Sequence, residues 1–140
     1  MAKRSKKPGS KAMQAKARLE ALGLPKIAET MLSFAKPLVD LVGMPPDLRA
    51  AQSFMVITTA AWNLPLLERH GHAEAAKVAA ALEDGLSRMP QEVRETVEGM
   101  LRARLTTFGH DPRVGVADVQ PNGRGGLRVV ASASLLDAPR

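Results

Sequence analysis

The sequence predicts an α+β fold, in which a small helical domain is followed by a C-terminal β-hairpin. Two observations carry this prediction. Apolar residues recur at spacings of three and four along most of the chain up to Phe108, whereas beyond Pro112 the spacing changes to two. The two alternating stretches are separated by QPNGRGG, a run of turn-forming residues. With 140 residues, of which 45% are hydrophobic, the chain is large enough for one domain with its own core.

The helical period predicts four main helices, at about residues 25–42, 46–68, 72–89 and 90–108. Residues 11–22 are rich in helix formers and leave room for a short N-terminal helix, which would be marginal in isolation. Pro37 falls inside the first main helix, so we expect a kink or a break near Lys36.

The predicted helix at 46–68 holds the densest apolar run and the only tryptophan, Trp62. Its apolar residues cover more than one face, which is typical of a helix packed on several sides. The run is too short for a membrane span, which takes about 20 residues. Pro65 should bend or end the helix, and Asn63 should either bond the backbone that Pro65 frees or mark the helix end.

The last predicted helix has an apolar stripe with acids at its start and Arg102 and Arg104 near its end. Each sign of charge matches the helix dipole there. We therefore interpret both arginines as dipole partners.

The hairpin is predicted at about residues 113–135. Its second strand alternates, with five residues expected to face inward: Leu127, Val129, Ala131, Ala133 and Leu135. A lone hairpin is marginal in water, so its apolar face must cover the helices or pair with another copy. The unpaired edge leads to the hypothesis of a homodimer formed by strand addition.

The charge of the chain is unevenly distributed. Residues 1–18 contain seven cations and no acid, whereas the rest of the chain has 13 cations and 14 acids. We predict that residues 1–18 form a disordered basic tail and that residues 19–140 form a single globular domain. The nucleic-acid-binding candidates are the seven cations of the tail: Lys3, Arg4, Lys6, Lys7, Lys11, Lys16 and Arg18. No aromatic residue interleaves them, so stacking on bases is not indicated.

Few residues point to catalysis. The chain has no Cys, which excludes disulfides and thiolate chemistry, and it lacks the common nucleophile, phosphate-loop and zinc-protease motifs. The three histidines fall in predicted connections, so we predict no metal site and no cofactor. One candidate polar pocket combines Asn63 with His110, Asp111 and Arg113, the last three lying together where helix gives way to strand.

Three functions follow from these patterns. The first is a small non-enzymatic cytoplasmic binding protein, whose tail contacts RNA, a ribonucleoprotein or DNA without sequence specificity. The alternative is a protein–protein interaction or homo-oligomerising module with an incidental tail. The third is an enzyme that uses the Asn63, His110, Asp111 and Arg113 neighbourhood.

Overall fold

The predicted α+β architecture is confirmed: six helices precede a two-stranded antiparallel hairpin among the residues described. The computed structural model of the chain describes residues 14, 16–45 and 47–136. Residues 16–21 are helical and correspond to the short N-terminal helix. The remaining elements, in chain order, are α1 (Ile27–Phe34), α2 (Lys36–Val42), α3 (Leu48–Arg69), α4 (Ala75–Ser87), α5 (Gln91–Leu105), β1 (Arg113–Pro121) and β2 (Leu127–Leu135).

The predicted helix at 25–42 is broken in two, as Pro37 indicated. The helix α1 ends at Phe34, Ala35 joins the two segments, and α2 begins at Lys36 with Pro37 in its first turn. A proline in the first turn loses no internal hydrogen bond, so the break falls just before it.

The central helix α3 runs through Pro65 without ending and stops at Arg69. At its start, the carboxylate of Asp47 accepts a hydrogen bond from the backbone N–H of Ala50 at 2.8 Å. Its exit is the turn at Gly71, whose φ of 62° lies in the left-handed region that favours glycine.

The helix α5 is shorter than predicted, because it ends at Leu105 and not at residue 108. The backbone turns at Thr106, and the N–H of Phe108 bonds the carbonyl of Ala103 at 2.9 Å. This turn places the Phe108 ring in the core and directs its carbonyl oxygen toward α5.

The core is centred on three aromatic rings. Trp62 of α3 contacts Phe34 of α1 with ring centroids 5.2 Å apart, and it contacts Phe108 at 5.7 Å. Phe34 and Phe108 lie 5.5 Å apart, and all three pairs meet edge to face, which is a favourable aromatic geometry. Three of the four aromatic residues of this chain are thus gathered at one point, and smaller aliphatic side chains fill the space around them.

The hairpin pairs Arg113 with Leu135 at its open end and Pro121 with Leu127 beside the turn. Asn122 organises the turn, since its side-chain oxygen accepts hydrogen bonds from the N–H groups of Arg124 at 2.8 Å and Gly126 at 3.1 Å. Among the five side chains predicted to face inward, four are partly covered. Leu127 is the exception at 38% exposed, because it lies beside the turn, beyond most of the helices' cover.

A set of side chains on α3 bonds directly to the outer backbone edge of β1. Asn63 donates to the carbonyl of Gly115 at 2.8 Å and accepts from the N–H of Gly115 at 2.8 Å. Three helical turns earlier, the Gln52 amide donates to the carbonyl of Val119 at 3.4 Å. Eleven helical residues cover about 16 Å and four strand residues about 14 Å, so the two spacings match. The expectation that Asn63 serves its own helix is therefore wrong.

We expect Asn63→Leu to lower the free energy of unfolding by about 2–4 kcal/mol, because it leaves both backbone groups of Gly115 without their partner. Urea unfolding followed by circular dichroism measures the loss. The control is Gln52→Leu, which removes one long bond and should cost less than about 1 kcal/mol. Equal losses in the two variants would contradict the role assigned to Asn63.

Candidate functional site

Two of the four polar residues proposed for a pocket, His110 and Asp111, line one cavity. This cavity of about 360 Å³ is also lined by residues of α1 and the 107–108 turn, and Asn63 and Arg113 are not among its lining residues. His110 is exposed, whereas Asp111 and Arg113 are buried. The side chain of Asn63 bonds both backbone groups of Gly115.

Asp111 and Arg113 form a buried ion pair. The Nη2 of Arg113 lies 2.7 Å from Oδ2 of Asp111, its Nε donates to Oδ1 at 2.9 Å, and its backbone N–H donates to the same Oδ1 at 3.0 Å. The rest of the guanidinium reaches the start of α1, donating from Nη1 to the Pro25 carbonyl at 2.7 Å and from Nη2 to Oγ1 of Thr30 at 3.1 Å. This pair therefore joins β1 to α1.

A second arginine, Arg104 of α5, is completely buried and bonds three backbone carbonyls. Its Nε donates to Trp62, its Nη1 to Phe108 and its Nη2 to Arg113, each at 2.8 Å. The guanidinium carbon also lies 3.7 Å from the centroid of the Trp62 ring, within the range of a cation–π contact. Arg104 is thus held by α3, by the turn that follows α5 and by β1.

The interpretation of Arg104 as a dipole partner missed this role. The buried side chains of α5 are Val93, Val97, Met100 and Arg104, at steps of four, three and four. Arg104 therefore continues the apolar stripe of its helix, and this spacing was a signal of burial that could be read from the sequence.

Burial and neighbouring charges shift both ionisable groups that surround Arg113. Desolvation lowers the pKa of Arg104 to about 10, with the negative charge of Asp111 opposing the shift and the charges of Arg113 and Arg69 adding to it. Burial alone would raise the pKa of Asp111, but the hydrogen bonds from Arg113 and the charges of Arg113 and Arg104 hold it below its ordinary value. Both groups are charged at neutral pH.

The arrangement links elements of the fold, because the donors of Arg113 and Arg104 are directed to internal acceptors. Trp62 completes it by donating from Nε1 to the Arg113 carbonyl at 2.9 Å. We call the three residues Arg104, Asp111 and Arg113 the charged junction.

The basic tail lies largely outside the described residues, which exclude five of its cations: Lys3, Arg4, Lys6, Lys7 and Lys11. The other two, Lys16 and Arg18, are exposed on the helical segment 16–21. Their assignment to a nucleic-acid contact stays a prediction.

An apolar groove of about 330 Å³ lies on another surface, between α2, α3 and the residues that join α4 to α5. Leu38, Phe54, Ile57 and Val93 form part of its wall, and Met44 stands on its rim with 71% of its surface exposed.

Over the ranges 16–45 and 47–136, with residue 14, no cluster of three His, Asp or Glu side chains is placed to hold a metal ion. In the same part of the chain, no helix has the length and apolar character needed to cross a bilayer.

Comparisons of the chain with protein-family models, with curated proteins and with solved structures found no match.

We expect Arg104→Lys to destabilise the protein by about 2–4 kcal/mol, because a single ammonium cannot reach three carbonyls and also stack on Trp62. Chemical unfolding monitored by Trp62 fluorescence would measure the loss. Arg102→Lys makes the same exchange at an exposed position two residues away and should change stability by less than about 0.5 kcal/mol. A loss at Arg104 no larger than at Arg102 would contradict the junction.

Asp111 should make stability fall in acid. Because its pKa is lower in the folded protein than the ordinary 3.8, the unfolded chain takes up a proton first as the pH drops. Its contribution is complete above pH 3.8 and is lost as the pH falls through the lower folded value. Asp111→Asn should therefore cost about 3 kcal/mol at pH 7, and the deficit should shrink toward pH 2.

Urea unfolding across this pH range tests the prediction, with Asp84→Asn on the exposed face of α4 as a control for net charge. A deficit in Asp111→Asn that stays constant between pH 7 and pH 2 would rule out the titration of this carboxylate as its cause.

Proposed function

We propose that this protein is a small non-enzymatic nucleic-acid-binding protein whose basic N-terminal residues contact the phosphates of RNA, a ribonucleoprotein or DNA. One observation carries the proposal: residues 1–18 hold seven cations and no acid, while the remaining chain has one more acid than it has cations. Such a segment releases counterions when it neutralises phosphates, which yields salt-sensitive binding without sequence readout.

Two arginines of the domain are buried, which further lowers the exposed positive charge of the domain relative to the charge of residues 1–18. Arg104 and Arg113 bond internal carbonyls and Asp111, so their charges are not presented to a partner. The cations of residues 1–18 are also mostly lysines, whereas lysine occurs after them only at Lys26, Lys36 and Lys77. A lysine binds phosphate as a point charge, which suits contacts without base readout.

The non-enzymatic part of the proposal rests on the polar residues near the junction. The side chain of Asn63 bonds Gly115 of β1, and the side chains of Asp111 and Arg113 bond each other. Arg113 also bonds the Pro25 carbonyl, and these internal contacts favour a structural role for all three residues. The chain has no Cys, which suits a reducing compartment, and we assign it to the cytoplasm on that ground.

A second candidate function is a protein–protein interaction module, with the basic residues incidental. The apolar groove beside Met44 favours it, since exposed methionine at the rim of an apolar groove adapts to varied partners. The homodimer through the hairpin belongs to this candidate. Light scattering at high micromolar concentration tests the homodimer, and a mass near 15.0 kDa would exclude it.

The nucleic-acid proposal is tested with matched lysine variants of the whole chain. The test variant carries Lys3→Gln, Lys6→Gln and Lys7→Gln, and the control carries Lys26→Gln, Lys36→Gln and Lys77→Gln. Binding to a fluorescent RNA hairpin and to mixed-sequence duplex DNA is measured by anisotropy across a salt series. For duplex DNA we expect the test variant to reduce the slope of log K against log salt by about 2–3.

The control should keep the slope of the unmodified protein, since it loses the same charge from the domain. Equal reductions in the two variants would show that net charge governs binding and not the N-terminal segment. The absence of binding by the unmodified protein at low salt would end the nucleic-acid proposal.

A further inference from the structure

We propose that the outer edge of β2 binds an extended acidic peptide segment of a partner protein, which adds to the hairpin as a third strand. This goes beyond the proposed function, because it uses the opposite end of the chain from the basic segment.

The two edges of the hairpin differ in the hydrogen bonding of their outward backbone groups. In an antiparallel pair, residues alternate between those that bond the opposite strand and those whose N–H and C=O point away from it. Both backbone groups of Gly115 bond Asn63, so they point away from β2. The carbonyls of Arg113 and Val119 also bond helix side chains, which agrees with the same alternation. The edge of β1 is therefore covered by α3.

The register then identifies the free groups of β2. Gly115 pairs with Ala133, Ala117 with Ala131 and Val119 with Val129. These partners on β2 must likewise direct their N–H and C=O groups away from the hairpin, on its other side. Over the described residues, these groups have no backbone or side-chain partner in the protein. Such an edge is a template for another strand.

A groove of about 540 Å³ runs along this edge. Its lining includes six consecutive residues of β2, Arg128–Ala133, so both alternating sets of the strand contribute. The opposite wall is the start of α1, at Lys26, Ile27 and Ala28. Consecutive strand residues line a groove when the backbone edge itself opens into it. An extended peptide could therefore reach the free groups of β2.

The charges in the groove favour an acidic occupant. Lys26 and Arg128 are exposed in the groove, and no acid is among the residues that line it. The nearest acid on α1, Glu29, lines the cavity beside His110 instead. Asp118 lies on the other strand, and its carboxylate bonds the N–H of Val119. The strand β2 has no acid of its own to offer these cations in a pairing of two copies, whereas an acidic segment would neutralise them.

The probe is a fluorescein-labelled ten-residue peptide of alternating Glu and Val, titrated with the full chain and followed by anisotropy. Strand addition uses the N–H groups of alternate peptide residues only. Two further peptides therefore carry N-methyl groups on every Glu or on every Val. We expect one of them to bind like the parent and the other to bind at least tenfold more weakly.

The basic N-terminal segment also attracts an acidic peptide, but such attraction does not depend on peptide N–H groups. Equal affinity for both methylated peptides, or an equal loss for both, would overturn the proposal. So would the absence of binding by the parent peptide.

A pair of charge-reversal variants locates the site. Lys26→Glu with Arg128→Glu should weaken binding of the parent peptide at least tenfold. Lys77→Glu with Arg94→Glu, on α4 and α5, makes the same change in net charge away from the groove and should stay within twofold of the unmodified protein. Circular dichroism verifies that all variants are folded.

Equal effects of the two double variants would overturn the assignment to the groove. A doubled mass in light scattering would show that a second copy occupies the edge of β2. If Lys26→Glu/Arg128→Glu lost RNA binding and kept peptide binding, the groove would be a nucleic-acid surface. Either outcome would also overturn it. The lysine variants of residues 3–7 test the nucleic-acid proposal separately.

Discussion

The carbonyl oxygen of Arg113 is the point at which two helices and the hairpin are joined. It accepts hydrogen bonds from the indole of Trp62 in α3 and from the guanidinium of Arg104 in α5. The side chain of the same residue bonds Asp111 and the Pro25 carbonyl, so α1 is tied to the same point. A two-stranded hairpin is marginal in water, and these contacts attach it to the aromatic core.

The charged junction places two cations and one anion in the interior. Removing charges from water costs more than a simple ion pair returns, and a hydrophobic cluster of equal volume could be as stable. The polar groups add directional hydrogen bonds. Arg104 bonds three carbonyl oxygens at 2.8 Å, and each oxygen must lie near the plane of the guanidinium to accept such a bond. We infer that the junction defines how the hairpin is oriented on the helices.

The order of elements could be predicted because it depends on local patterns. The change from helical spacing to alternation located the hairpin, and Pro37 indicated the break that separates α1 from α2. The partners of Asn63 and Arg104 could not be predicted, because they are distant in the chain. Asn63 bonds Gly115, 52 residues away, and Arg104 bonds Trp62, 42 residues away. Local spacing shows that a side chain is buried but does not show which carbonyl it bonds. Of the residues proposed for a pocket, Asp111 and Arg113 bond each other, and Asn63 bonds Gly115, two residues beyond Arg113 on β1.

The position of these contacts along the chain has a consequence for how the protein folds. The hydrogen bond that Trp62 donates to Arg113 spans 51 residues, and the one that Arg113 donates to the Pro25 carbonyl spans 88, so large loops must close before the junction exists. The helices depend on local contacts and can begin to form earlier, whereas docking of the hairpin waits for this closure. We infer that attachment of β1 to α3 is the slow event in folding. Trp62, the single tryptophan, bonds the Arg113 carbonyl where β1 meets α3, so its fluorescence can follow this attachment without any added label.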